Sequence, residues 1–215
     1  LGGFGARLEA PIGDGPFTSR LGDLDGDGTL DLATAHRPAT VGGPVFLRTF
    51  LGDGAANFAP TVAHADLGPG AGAFQLGDLD GDGRLDLVAR LGSGNLAVFN
   101  GKGDGTFGAR SEALDQHAPF LLCDPDGDGD LDVVTSAIAV HPNDGLGRLG
   151  PPTHHEGWNE PIFAADLDLD GRLDLFTADP LSESLVVLPN QRTRTASATL
   201  RNGSGENPRA YRSLT

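Results

Sequence analysis

Methionine is absent from the 215 residues, and cysteine, tryptophan and tyrosine occur once each. One cysteine, Cys123, excludes an internal disulfide. It stands in the apolar run PFLLC with no activating base beside it, and so reads as a small buried hydrophobe. The lack of disulfides leaves an extracellular home open, because bound metal can staple a domain instead. No apolar run approaches the roughly 18 residues of a membrane-spanning helix, and no stretch keeps a helical apolar period. Basic residues are few, fifteen against thirty acids for a net charge of −15, and they form no stripe, which disfavours a nucleic-acid partner. The chain opens on Leu1 with no visible signal peptide, and we expect a mature or excised piece.

Glycine is abundant, at 33 residues with 15 prolines, yet apolar residues still make up 38%. That balance favours many short strands joined by tight turns over disorder. The acidity is focused. Sixteen of the thirty acids recur at the same four positions of four clusters, with Asp130 a fifth in the third, and the remaining thirteen nearly balance the fifteen bases. The clusters are DLDGDGTLD from Asp23, DLDGDGRLD from Asp78, DPDGDGDLD from Asp124 and DLDLDGRLD from Asp166, with starts 55, 46 and 42 residues apart. A short apolar segment precedes each cluster, a second follows it, and a third comes after a polar turn. A fourth, such as FAPTVAH or FGARSEA, is clear in the early units. Asp-Gly and Asn-Gly turns between such segments are hairpin signals. An array of supersecondary units with four short antiparallel strands each is the pattern of β-propeller blades. The expected fold is therefore all-β, a propeller of about four four-stranded antiparallel blades.

Aspartates at positions 1, 3, 5 and 9 of a tight loop can converge on one point, with the carbonyl of position 7 joining them and glycine at position 6 permitting the bend. The expected ligand sets are Asp23, Asp25, Asp27, Thr29 and Asp31; Asp78, Asp80, Asp82, Arg84 and Asp86; Asp124, Asp126, Asp128, Asp130 and Asp132; and Asp166, Asp168, Asp170, Arg172 and Asp174. Thr29, Arg84, Asp130 and Arg172 enter through their carbonyls. Hard oxygen donors select Ca²⁺ over Mg²⁺, and the lack of His or Cys in the loops argues against zinc. About four calcium ions, one per loop, are expected. Position 8 is leucine each time (Leu30, Leu85, Leu131 and Leu173) and is expected to point away from the ion into the core. Position 12 is Thr34, Ala89, Thr135 and Thr177, never the bidentate Glu of an EF-hand, and strands rather than helices follow. One Asp-Gly loop could be a mere turn former; four with the same aspartates argue for cations, because uncompensated carboxylates would repel one another. The fourth loop departs from the others in carrying Leu169 at position 4.

Together with FGARLEAPIGDGPF, NFAPTVAHADLGPGAGAF and GDGTFGARSEA, the four loops resemble the FG-GAP and VCBS repeat family, the calcium-loop blades of integrin α-subunit propellers and of many secreted bacterial proteins. The resemblance covers about residues 1–190. It implies that each Asp loop joins the first and second strands of a blade, and it implies a secreted or cell-surface setting. It does not imply one activity, since fold does not settle function. Residues 191–215 are polar and lack an Asp loop, and read as a linker or a last blade strand. Two completions are open. Residues 4–11 pair with 185–189 to close a four-bladed ring, or residues 195–201 complete the last blade of an arc cut from a larger propeller.

PPTHHEGWNEP, residues 151–161, holds His154, His155 and the only tryptophan, Trp158. A loop-borne aromatic beside polar groups suits sugar stacking, although a solvated loop with the indole as a packing lid is the simpler reading. No nucleophile elbow, phosphate loop or catalytic triad pattern is present. The expected function is a non-enzymatic, calcium-stabilised extracellular module that binds a protein or glycan, within a chain that can carry further blades or domains. The alternatives are the scaffold of a secreted polysaccharide lyase or hydrolase, and a lectin using the Trp158 loop.

Overall fold

The computed structural model describes residues 9, 11–37, 40, 42–113, 119–136, 138–155, 162–179 and 183–190, apart from the side chains of 62–64, 110 and 179. The described residues hold fifteen strands and no helix. The strands make four antiparallel sheets, each from consecutive strands. Sheet 1 is β1 (Pro16–Gly22), β2 (Asp31–His36), β3 (Pro44–Gly52) and β4 (Phe58–Pro69). Sheet 2 is β5 (Phe74–Gly77), β6 (Asp86–Arg90), β7 (Leu96–Gly101) and β8 (Phe107–Ala113). Sheet 3 is β9 (Phe120–Cys123), β10 (Asp132–Thr135), β11 (Ala139–His141) and β12 (Thr153–His154). Sheet 4 is β13 (Ile162–Ala165), β14 (Asp174–Asp179) and β15 (Ser184–Leu188). Each Asp loop joins the first and second strands of its sheet, as the resemblance implies.

The second strands are the most enclosed, and DLATAH, DLVAR and DVVT are buried along almost their whole length. Their near-continuous apolar sequences are those of strands covered on both faces. First strands stand side by side, with β1 against β5, β5 against β9 and β9 against β13. The core lies between sheets rather than within one. One cluster joins Ala33, Ala35 and Leu47 of sheet 1 to Phe74, Leu87 and Phe99 of sheet 2. A second joins Val88, Leu96 and Val98 to Phe120 and Val133, and a third joins Cys123 and Val134 to Ile162 and Leu175. Cys123 is thus a core residue, and burial pushes its thiol pKa up to about 12, in keeping with an inert thiol.

The loop leucines give this packing a direction. The position-8 leucine reaches back to the sheet before it. A Cβ on Gly22 would lie 2.5 Å from Leu85, and one on Gly77 would lie 2.9 Å from Leu131. Leu173 packs into the cluster that holds Cys123, the residue that takes the place of Gly22 and Gly77 in sheet 3. The position-2 leucines instead enter the junction with the next sheet, Leu24 in the first cluster and Leu79 in the second.

One expectation fails here. Leu30 is 59% exposed and not in the core. Position 8 faces backward, and sheet 1 has no earlier sheet among the described residues. At the other end Leu167, at position 2, is 49% exposed for the converse reason. No sheet closes on itself, and sheet 4 has three strands among the described residues. Both proposed completions of it involve residues 4–8, 10 or 195–201, which lie outside the described residues.

Directional packing makes position 8 unequal between loops. Leu85→Ala is expected to cost about 2 kcal/mol in denaturant unfolding, and Leu30→Ala less than about 0.5 kcal/mol.

Candidate metal loops

All four loops share one hydrogen-bond ladder. The position-1 carboxylate accepts from the position-6 amide: Gly28, Gly83, Gly129 and Gly171 donate to Asp23, Asp78, Asp124 and Asp166 at 2.9–3.0 Å. Position 3 accepts from the amide of position 5 at 3.1–3.2 Å. Position 5 accepts from the amide of position 7 at 2.7–3.1 Å. Aspartates suit such a curl because a short carboxylate can bond the amide two residues on. At least one oxygen of each is held by the backbone, and both oxygens of Asp23, Asp124 and Asp166 are, which aims the carboxylates together. In each loop three aspartates offer oxygens within 4.8 Å of one another: Asp23, Asp25 and Asp27; Asp78, Asp80 and Asp86; Asp124, Asp126 and Asp128; Asp166, Asp168 and Asp174. Asp31, Asp82, Asp132 and Asp170 stand outside these triads. Mutual repulsion is visible. Asp25 is held above the ordinary carboxylate range by desolvation and by Asp27, Asp31 and Asp23, and Asp126 is raised by desolvation and by Asp128 and Asp124.

The backbone at position 4 is left-handed in every loop, with φ of +79° at Gly26, +70° at Gly81, +77° at Gly127 and +61° at Leu169. The first three carry glycine, which accepts this conformation without strain. Leu169 takes it with a side chain that is 87% exposed, so no packing compensates.

Position 9 does more than the sequence alone conveys. Asp31, Asp86, Asp132 and Asp174 are all buried. Each accepts through Oδ1 from an amide at or beyond the end of the third strand: Gly52 at 2.8 Å, Gly101 at 2.7 Å, Asn143 at 2.7 Å and Asn190 at 2.8 Å. In three loops Oδ2 accepts from the position-2 amide of Leu24, Leu79 or Leu167, at 2.7, 2.9 and 3.0 Å. The residue therefore staples the loop to its own sheet. The third loop has Pro125 at position 2, which has no amide hydrogen, and Asp132 Oδ2 is buried with no partner. The electrostatics follow. The two amides hold Asp174 below the ordinary range, whereas desolvation lifts Asp132 to about 6 with only Asn143 opposing it. Asp86 keeps both amides yet is raised, with desolvation the leading cause.

The position-7 residues differ in what their side chains add. The Thr29 hydroxyl lies 2.7 Å from Asp27 Oδ1, Arg84 pairs with Asp82 at 3.2 Å, and Arg172 pairs with Asp170 at 2.5 Å. Asp130 adds a fifth carboxylate to the third loop. The donor set is all oxygen, and Asp132 Oδ2 and Asp78 Oδ1 are buried without a donor. These residues fit a hard divalent cation.

Beside the third loop, between sheets 3 and 4, is a cavity of about 550 Å³ lined by Pro125, Asp126, Asp132, His155, Leu188 and Asn190 among others. His155 reaches this cavity, while its neighbour His154 is exposed at the end of the outer strand β12 and does not line it. Trp158 lies outside the described residues. Asn190 was not singled out from the sequence, yet its Nδ2 clasps the carbonyls of Pro125 in the preceding loop and Leu173 in its own. Asn143 does the same with Leu79 and Leu131. The only signal for this is the recurrence of Asn or Gly after the third apolar segment of each unit.

Two outcomes follow from the strain and the charge. Leu169→Gly should stabilise the protein by about 0.5–1 kcal/mol, read by denaturant unfolding. The raised pKa of Asp132 means that the folded state holds an extra proton between about pH 4 and pH 6. In metal-stripped protein, stability through this group is therefore lost as pH rises across that window. Metal-stripped Asp132→Asn should melt above wild type at about pH 7, the gap closing by about pH 4.

Residues 23–89 and 78–135 each match the FG-GAP-like repeat family, together spanning just over half of the chain. No curated protein shows a significant match to the chain. With the ladder of Asp loops between first and second strands on both matched segments, the chain belongs to the FG-GAP-like repeat family.

Proposed function

We propose that the chain is a calcium-stabilised β-propeller module, its four sheets acting as blades, that works outside the cell by binding a protein or glycan. The observation that carries this reading is the convergence of three carboxylates in each of four loops, with oxygens within 4.8 Å of one another. Bound calcium would neutralise carboxylates that otherwise repel and would lock each loop onto its sheet, so its role is structural. Weak oxygen sites of this kind fill where calcium is millimolar, which supports the extracellular setting. FG-GAP repeats are typical of extracellular proteins, and no helix of the described residues is long and apolar enough to cross a membrane. We read the module as binding rather than catalytic, because the clustered aspartates are committed to the loops. The concave cavity beside the third loop, apolar with a few polar groups, supports a small docking element of the partner there.

The test is thermal unfolding of metal-stripped protein titrated with Ca²⁺ and separately with Mg²⁺. Calcium at a hundredfold excess over Kd is expected to add about 2.7 kcal/mol per filled site, and magnesium distinctly less. A melting curve that does not move in millimolar calcium would refute the structural role.

A further inference from the structure

The four loops are alike in backbone but not in what surrounds their carboxylates, and this inference rests on the calcium reading above. We infer that the third loop, residues 124–132, is the site that fills first and holds its ion most tightly, and that Pro125 and Asp130 set this order.

Three observations converge on it. In the other loops a side chain of the protein already occupies part of the donor set. Thr29 sits on Asp27, Arg84 on Asp82 with Asn100 on Asp80 at 2.7 Å, and Arg172 on Asp170. An incoming cation must compete with these groups, and with a positive charge in the second and fourth loops. In the third loop no side-chain donor among the described residues meets any of the five carboxylates, and Asp130 raises the negative charge instead of lowering it. A divalent ion therefore meets a stronger attraction there.

The second observation is the orphaned oxygen. Asp132 is 1% exposed, and its Oδ2 is the atom that loses its amide donor to Pro125. Asp132 and Asp126 line the same cavity beside the loop. A buried acceptor without a partner is costly, and a cation relieves that cost on binding. The other three position-9 carboxylates have both oxygens met by amides before any ion arrives. Asp78 Oδ1 of the second loop is also without a donor, but that loop carries Arg84 and Asn100 and so ranks behind.

The third observation is position. The third loop sits between two clasps, Asn143 closing onto its Leu131 carbonyl and Asn190 onto its Pro125 carbonyl. Its backbone is held at both ends, so little ordering remains to oppose ion binding.

The experiment is calorimetric titration of the metal-stripped full chain with Ca²⁺, using wild type and the position-5 variants Asp27→Asn, Asp82→Asn, Asp128→Asn and Asp170→Asn. Each variant keeps the acceptor for the position-7 amide. The tightest step is expected to vanish in Asp128→Asn and to persist in the other three. Its survival in Asp128→Asn, or its loss in another variant instead, overturns the inference. Four equal steps overturn it too, while leaving the calcium reading intact. No calcium uptake by wild type defeats the calcium reading itself. Pro125→Leu restores the residue and the amide found in the other loops, and is expected to weaken the tightest step about tenfold. Asp130→Thr, which copies the first loop, is expected to weaken it several-fold. Unchanged affinity in both variants rules out the assigned cause.

Discussion

A carboxylate removed from water is tolerable only when its oxygens are met by donors or by a cation, and every sheet of this protein is fastened around one. Asp31, Asp86, Asp132 and Asp174 close their loops and reach across to the end of the third strand. The loop that presents carboxylates to solvent and the sheet that holds the core are thus tied through one side chain. Of the aspartates ahead of it, positions 3 and 5 are aimed by amides two residues on and position 1 by the position-6 amide, so the donor geometry is built by the backbone. Any change that loosens the closing aspartate loosens both the donor array and the edge of the sheet.

The apolar framework is built on the same nine residues. Position 2 enters the junction with the following sheet and position 8 the junction with the preceding one, so each loop serves two interfaces as well as its own donor set. The Asn143 and Asn190 clasps reinforce this, because each binds the loop of the preceding sheet and the loop of its own. In the junction of sheets 1 and 2 the Gly105 amide takes the Leu24 carbonyl, at 3.1 Å. Different residues thus meet the same carbonyl of the first three loops from the next sheet.

The all-β class, the four units and the placement of each loop between first and second strands were legible, because short apolar segments and Asp-Gly turns recur at every unit. That aspartates converge in each loop was legible for the same reason; which three do so was not, and Asp31, Asp82, Asp132 and Asp170 stand outside the triads. The double duty of position 9 was not, since a ligand and a buried acceptor look identical in a one-letter string. The weight of Pro125 emerges only beside Leu24, Leu79 and Leu167, where an amide does what proline cannot. Leu30 shares its loop position with Leu85 and Leu173, which pack against core clusters, yet it does not. Its exposure depends on a neighbouring sheet, which no local pattern reports. Sheet 3 is the least regular, because its fourth strand shrinks to Thr153–His154 after an Asn143–Leu149 bridge.

The backward reach of Leu30 and the forward reach of Leu167 leave two unlike margins, each presenting an exposed leucine from a different loop position. Two such stacks related by a two-fold axis would set like margin against like and reproduce none of the internal junctions. Only translation with rotation in a single sense repeats them. Growth of this architecture is therefore vectorial.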